Sequence, residues 1–323
     1  MFIVPDTAKK AAFNGKLFVV LNSASGSNDS NAERQVLEDV FKSAGRSFEF
    51  LQFDNPANIG SVSAKAVALA KEHGGVVVAA GGDGTISAVA AAVLRSGCPF
   101  GVLPQGTFNY FGRANGIPQD ARAAATALIG ASISPVTVGE VNGRVFLVNA
   151  SLGLYPQLLE DRETWKQQFG RSRLVAFASG LATILRARGQ LMLEIELAGK
   201  TTTLRTPTLF IGNNRLQLAQ VGMNEAHADA VTRGELTGIA VHPIGTLALL
   251  GLLARGVFGR LGEAANIDSF SFVKLKVALR SKRKIKVATD GEICWLTPPL
   301  VFQVADTPLL LMVPAPADRA VVE

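Results

Sequence analysis

The sequence predicts an α/β N-terminal domain with a parallel sheet, followed by a domain of mostly antiparallel β-structure. Three observations carry this expectation. Over the first ~130 residues, short apolar runs alternate with stretches of helical periodicity. After residue 134 the strand-like runs follow one another with few helices between them. And 323 residues exceed what one hydrophobic core ordinarily serves.

The elements follow in order. KLFVVLN (16–22) reads as a strand. SNAERQVLEDVFKSAG opens with a capping box, Ser30 and Glu33, and closes at Gly45; its apolar face is Val36, Leu37, Val40, Phe41 and Ala44. Residues 47–53 are strand two and 60–73 a helix ended by Gly74. Residues 76–80 are strand three, 86–95 a helix ended by Gly97, and 100–103 strand four. Two short helices fall within 107–115 and 119–130. Such repetition implies a parallel sheet covered on both faces. The period changes near 131–136, which divides the chain into domains 1–133 and 134–323, with the last residues packing back on the first domain. VTVGEVNGRVFLVNA reads as a hairpin turning at Asn142-Gly143. Strands are expected at 190–198, 202–212, 235–241, 269–279, 283–289, 293–297, 299–304 and 308–313, and helices at 157–168, 173–188 and 244–258.

Bulk properties narrow the function classes. The net charge is +6, which suits phosphate ligands, nucleic acid or an anionic membrane surface without choosing among them. Cys98 and Cys294 are the only cysteines, which fits a reducing compartment and no disulfide framework. His73, His227 and His242 are scattered, so neither a zinc site nor a histidine-based triad is indicated. The N-terminus lacks the apolar core of a signal peptide, and the most apolar stretch, 244–262, is broken by Arg255 and glycines. These features point to a cytoplasmic protein, with loose attachment to a membrane surface left open.

The chemistry concentrates at strand exits. VVVAAGGDGT leaves strand three through Gly81, Gly82, Asp83, Gly84 and Thr85 and opens a helix. In a parallel sheet, ligands bind beyond the carboxyl ends of the strands. Glycines let a phosphate approach backbone amides, and a helix start favours an anion. Thr85 is suited to cap the helix and to reach a phosphate oxygen. A carboxylate facing phosphates repels them unless a cation lies between, so Asp83 points to a magnesium–water contact. One such turn is also explained as a plain glycine turn. Two neighbours weigh against that: LNSASGS (21–27) and LPQGTFNYFGRANGIP (103–118) leave strands one and four with equally polar, glycine-bearing turns.

These residues resemble the diacylglycerol kinase catalytic family, specifically the bacterial soluble lipid kinases related to sphingosine and ceramide kinases. GGDGT alone is shared with NAD kinases and resembles the phosphofructokinase nucleotide loop. LPQGTFNYFGRANGIP, FLVNASLGLYP, LFIGNNR, RGELTGIAV and the block around Asp290-Gly291-Glu292 are more specific, and the likeness runs from about 17 to 314. The resemblance implies an ATP-holding α/β domain of NAD kinase/phosphofructokinase type and a lipid-holding C-terminal β-sandwich with inserted helices, with reaction in the cleft between them. By carry-over, Asn22, Ser25, Gly26, Gly81, Gly82, Asp83, Gly84, Thr85, Gly106, Thr107 and Asn109 contact nucleotide, with Mg2+ at Asp83 through water. Asp290 is the base toward the lipid hydroxyl, with Glu292 beside it. The implied partners are a lipid substrate and, peripherally, the inner face of a membrane, with no nucleic acid and an oligomer compatible. The chain departs from the family at Tyr110, where many members carry an Asp that joins a carboxylate–water–magnesium network; a neutral phenol cannot supply that charge.

Some residues carry two readings each. Asp290-Gly291 is a strong hairpin signal in its own right. Glu292 directly after it adds a second carboxylate, and close carboxylates repel, which raises one of them toward a base's working range. Arg280, Lys282, Arg283, Lys284 and Lys286 form either a solvated strand face or an attraction for anionic headgroups. Trp165 and Trp295 read as packing residues. Besides an ATP:lipid phosphotransferase, the sequence leaves two alternatives: a catalytically weakened lipid- or nucleotide-binding member, because of Tyr110, and an NAD kinase-like enzyme. The latter needs an Asn-Glu pair, for which only Asn224-Glu225, read as loop, is available.

Overall fold

The computed structural model describes residues 13–23, 29–154, 156–157, 159–160, 190–220, 222–243, 245, 251, 266–279 and 283–320. The chain forms two compact units, 1–136 with 307–323, and 137–306.

The first unit alternates β1 (Leu17–Asn22), α1 (Asp29–Ser43), β2 (Phe48–Phe53), α2 (Ile59–His73), β3 (Val76–Gly81), α3 (Asp83–Val93), β4 (Phe100–Pro104), α4 (Tyr110–Ala114), α5 (Ala121–Ile129) and β5 (Ser132–Val136). Its sheet runs β2-β1-β3-β4, then the C-terminal strand β18 (Leu309–Val313), then β5. β18 pairs parallel with β4 and antiparallel with β5. Every residue of β3 is buried, as a parallel strand covered on both faces requires. α2 ends at Gly74, whose φ of 59° gives the left-handed cap that glycine adopts without strain. α1 is described from Asp29, and the side chain of Ser30 in the expected capping box lies outside what is described. One helix start differs from expectation. α3 begins at Asp83, three residues before Ile86, because extended Gly82 is the cap and Ile86 N already donates to Gly82 O at 3.0 Å. Thr85 is therefore the third helical residue and not a capping residue.

The second unit contains two antiparallel sheets. One is ordered β10 (Lys200–Thr206), β9 (Leu191–Leu197), β14 (Lys274–Leu279), β17 (Leu300–Val304), β6 (Gly139–Val141), β7 (Arg144–Phe146). The other is ordered β13 (Ile267–Phe272), β12 (Leu236–Val241), β11 (Thr208–Gly212), β8 (Asn149–Gly153), β15 (Ile285–Thr289), β16 (Glu292–Leu296). Phe146, Leu193, Leu275 and Phe302 from the first sheet form one buried core with Leu152, Leu209, Phe272 and Val287 from the second, the arrangement of a β-sandwich. Asn142 and Gly143, at φ 48° and 80°, make the expected two-residue turn between β6 and β7.

The runs expected as single strands at 202–212 and 269–279 each divide between the two sheets. Pro207 has no N–H to give a ladder, and Thr206 Oγ1 bridges past it to the backbone of Thr208. The second run parts at exposed Val273. Asn224-Glu225 is not a loop. Asn224 caps α7 (Glu225–Thr232), which follows α6 (Arg215–Gln220), and its side chain accepts from Ala226 N at 2.9 Å. Trp295 does not pack inward; it is 57% exposed on edge strand β16, with Lys286 Nζ 5.3 Å from its ring centre. The helices expected at 157–168, 173–188 and 244–258 lie almost wholly outside the described residues, as do Trp165, Arg280 and Lys282. Among the described residues no helix is long and apolar enough to cross a membrane.

Candidate active site

In the first unit, the loops that leave β3 and β4 lock onto each other. Gln105 N donates to Gly81 O at 2.9 Å. Asn109 stands in the left-handed region at φ 47° and is 4% exposed. Its Oδ1 accepts from Gly106 N at 2.9 Å, and its Nδ2 donates to Gly106 O and to Gln119 Oε1. Its own N–H donates to Asp83 Oδ2 at 2.9 Å, which ties the second loop to the first. Glycine is required where the loops touch. A Cβ on Gly106 would lie 2.6 Å from Asn109 Oδ1 and 2.9 Å from Gly82 Cα. A Cβ on Gly81 would lie 2.7 Å from Thr85 Cβ, so Thr85 fills the space over that glycine.

The expected nucleotide residues Gly81, Gly82, Asp83, Gly84, Thr85, Gly106 and Asn109 thus share one place. Asn22 ends β1, the strand beside β3. Ser25 and Gly26 lie outside the described residues. The first-turn amides of α3 have no acceptor within the helix. Beside the second loop lies a pocket of about 390 Å³, lined by Gly106, Thr107, Arg113, Gln119 and Glu33 among others. Arg113 is a functional candidate that the sequence reading passed over, although it sits inside the quoted segment 103–118.

The donor set suits phosphates: backbone amides, a hydroxyl and a guanidinium. For magnesium the same loops offer one carboxylate, Asp83, which is compatible with an ion that keeps most of its water and binds phosphates. Among the described residues no group of three or more His, Cys, Asp or Glu could hold a metal ion. Tyr110 begins α4 and stacks on half-exposed Phe108, ring centres 5.7 Å apart and planes within 1°. Burial pushes its phenol above the ordinary value; Arg113 opposes this and Asp83 reinforces it. The ring is therefore neutral at pH 7.

In the second unit, β15 and β16 join through Asp290 and Gly291 at φ 48° and 86°, both positive as a type I′ turn demands. The turn reading of this dipeptide is correct, but it is not the whole account. The Asp290 carboxylate accepts from three successive amides: Leu147 N at 2.8 Å on Oδ2, and Val148 N and Asn149 N at 2.8 and 3.0 Å on Oδ1. Asp290 N donates back to Asn149 O at 2.9 Å. Asn213 holds the same segment from its carbonyl side, Nδ2 donating to Leu147 O and its backbone N to Val148 O. Glu292 is balanced by Arg144, whose Nη2 lies 3.1 Å from Oε2 while Nε donates to Thr289 Oγ1. Sequence reading anticipated neither Arg144 nor Asn213; the only signal for Asn213 was its place in LFIGNNR.

Comparison with known proteins adds lineage to this geometry. Residues 16–141 match the diacylglycerol kinase catalytic domain. The diacylglycerol kinase of Bacillus subtilis is 30% identical over 294 residues, covering 87% of this chain and 90% of that one. The chain belongs to the diacylglycerol kinase family. An uncharacterized Synechocystis protein is 28% identical over 255 residues, 76% of this chain; the match spans 55% of that relative's length. The crystal structure of a diacylglycerol kinase from Bacillus anthracis superposes with a TM-score of 0.67 over 95% of this chain and 99% of that one. At 17% identity, this likeness to a diacylglycerol kinase structure speaks for the fold alone.

Proposed function

We propose that this chain is an ATP-dependent lipid kinase that transfers the γ-phosphoryl group to the hydroxyl of a diacylglycerol-like or related lipid. The observation that carries the reading is the bond from Asn109 N to Asp83 Oδ2, which welds two glycine loops into one amide-lined edge beside Arg113 and Thr107. On this reading the first-turn amides of α3, Thr107 and Arg113 hold phosphate oxygens. Asp83 holds magnesium through water, and the ion supplies neutralisation of phosphate charge. Asp290 takes the proton of the acceptor hydroxyl, its carboxylate plane fixed by the three amides of 147–149. Because the acceptor is a lipid, the reading entails peripheral contact with the inner face of a membrane.

The test is transfer from labelled ATP into total lipid extract in mixed micelles, with the product identified by mass spectrometry. Asp290→Asn is expected to lower transfer by at least about a hundredfold, the usual span of a general base. Circular dichroism should show the variant folded. Full activity in that variant would end the assignment. A second reading, a lipid- or nucleotide-binding member with weakened turnover, is favoured by the neutral Tyr110 ring; ATP binding without transfer to any lipid would select it.

A further inference from the structure

The β15–β16 hairpin that carries Asp290 at its turn also carries an exposed indole. Val287 lies in the sandwich core, and its register partner Cys294 packs against that core. Alternation along a strand therefore puts the neighbouring pair, Lys286 and Trp295, on the outer face of the sheet. Trp295 is exposed there, and Lys286 Nζ lies 5.3 Å from its ring centre. β16 is the last strand of its sheet. Arg283 and Lys284, just before β15, are exposed as well. They belong to the run RSKRKIK (280–286), five cations without a carboxylate. Two carboxylates stand near. Glu160 bonds Lys286, and Glu292, which alternation turns to the other side of β16, pairs with Arg144.

An indole left in water forgoes the stabilisation that burying its apolar area would give, and the contact with Lys286 replaces only part of it. The surface that suits an aromatic ring with a polar N–H, flanked by lysines, is the headgroup layer of a bilayer. Tryptophan concentrates there, and lysine stems lie along the apolar boundary with their charges in water. The sign of the charge selects an anionic bilayer. A second copy of the chain fits less well, since an isologous contact would set the basic run against itself. Position agrees with a lipid surface. Trp295 is three residues from Glu292, whose register partner Thr289 precedes Asp290. At the rise of a strand this is about 10 Å from the turn, so a bilayer that Trp295 enters lies close to the proposed base.

We propose that the outer face of the β15–β16 hairpin is the membrane-docking surface of this chain: Trp295 enters the headgroup layer of an anionic bilayer, and Lys284 and Lys286 hold the lipid charge around it. The proposal rests on the kinase reading and deepens it, by naming the surface through which a lipid acceptor is reached.

The chain has two tryptophans, so Trp165→Phe leaves Trp295 as the sole indole of the full protein. Vesicles of equal parts phosphatidylcholine and phosphatidylglycerol are expected to shift its emission to the blue, and lipids brominated near the headgroup to quench it. Vesicles of phosphatidylcholine alone should do neither. In the otherwise unaltered chain, co-sedimentation with the anionic vesicles should weaken about tenfold in Trp295→Ala and about fivefold in Lys284→Gln. The ratio of transfer to dioleoylglycerol in those vesicles over transfer to monomeric dioctanoylglycerol should fall by similar factors. Trp295→Ala is expected to melt with the wild type, because the ring is exposed; should Trp165→Phe fail to fold, co-sedimentation decides. Failure of the chain to bind anionic vesicles, unshifted Trp295 emission on vesicles that do bind it, equal response to neutral and anionic vesicles, or wild-type sedimentation of Trp295→Ala would each overturn the proposal. So would a blue shift that tracks protein concentration with a doubled mass in light scattering, which assigns the face to a second copy. Docking as expected with no transfer to any lipid would instead sink the kinase reading and leave the docking face standing.

Discussion

Asn109 and Asp290 show how one residue in the left-handed region organises a loop. At both positions a short polar side chain tolerates positive φ, and its oxygen collects backbone amides that would otherwise be buried unpaired. Sequence reading picked out both residues, Asp290 as half of an Asp-Gly turn and Asn109 as part of the polar exit of strand four. It did not foresee what they bind. The donors to Asp290 lie more than 140 residues away, and no local pattern encodes them. Glu292 was likewise legible as a neighbouring carboxylate, yet its charge is spent on Arg144 from another strand. The Tyr110 substitution belongs to this scale too. Its phenol, pushed upward by burial, keeps its proton at neutral pH and adds no charge to that of Asp83. Tyr110→Asp restores a charge next to Arg113 and Asp83. We expect magnesium-dependent transfer to rise several-fold, read as kcat against metal concentration; a fall would show that the ring has its own part in the site.

Among elements, the β15–β16 hairpin is the most informative. Its existence could be read from Asp-Gly between two apolar runs. Its turn fixes both the strand register and the carboxylate, since Thr289 pairs with Glu292 across it and Asp290 reaches the entrance of β8. Gly291 sits at φ 86° with open space where a Cβ would stand, so Gly291→Ala is strained by backbone alone. The expected cost is about 1 kcal/mol, or a midpoint about 2–4 °C lower in thermal denaturation, with lipid transfer impaired because the carboxylate moves. An unchanged melting point would contradict the turn assignment. Elsewhere strand prediction failed at a definable place. The runs 202–212 and 269–279 are continuous in hydropathy, but a sandwich must send strands from one sheet to the other, and the corners fall at Pro207 and Val273. The proline was visible in the sequence; the corner at Val273 carries no sequence mark. The start of α3 was placed late for a related reason, since its first turn is made of the loop residues themselves.

At the scale of the whole molecule, the alternation of strand and helix revealed the α/β unit, and the change of period revealed the β unit. Hydropathy could not disclose the position of β18, which is inserted between β4 and β5 with Leu309, Leu311 and Met312 almost fully buried. A chain ending at Asp306 would lack an interior strand of the first sheet. We expect it to lose ATP binding and the cooperative melting of that unit while the antiparallel unit stays folded, as followed by calorimetry. Retention of nucleotide binding would show that the strand is dispensable.

The same strand sets an order of events during synthesis. Residues 137–306 are made before β18, so the unit begun earlier must wait for Leu309–Val313 before its sheet can close. Until then the first sheet is unfinished, with an open edge at β4, the condition in which nascent chains call on chaperones.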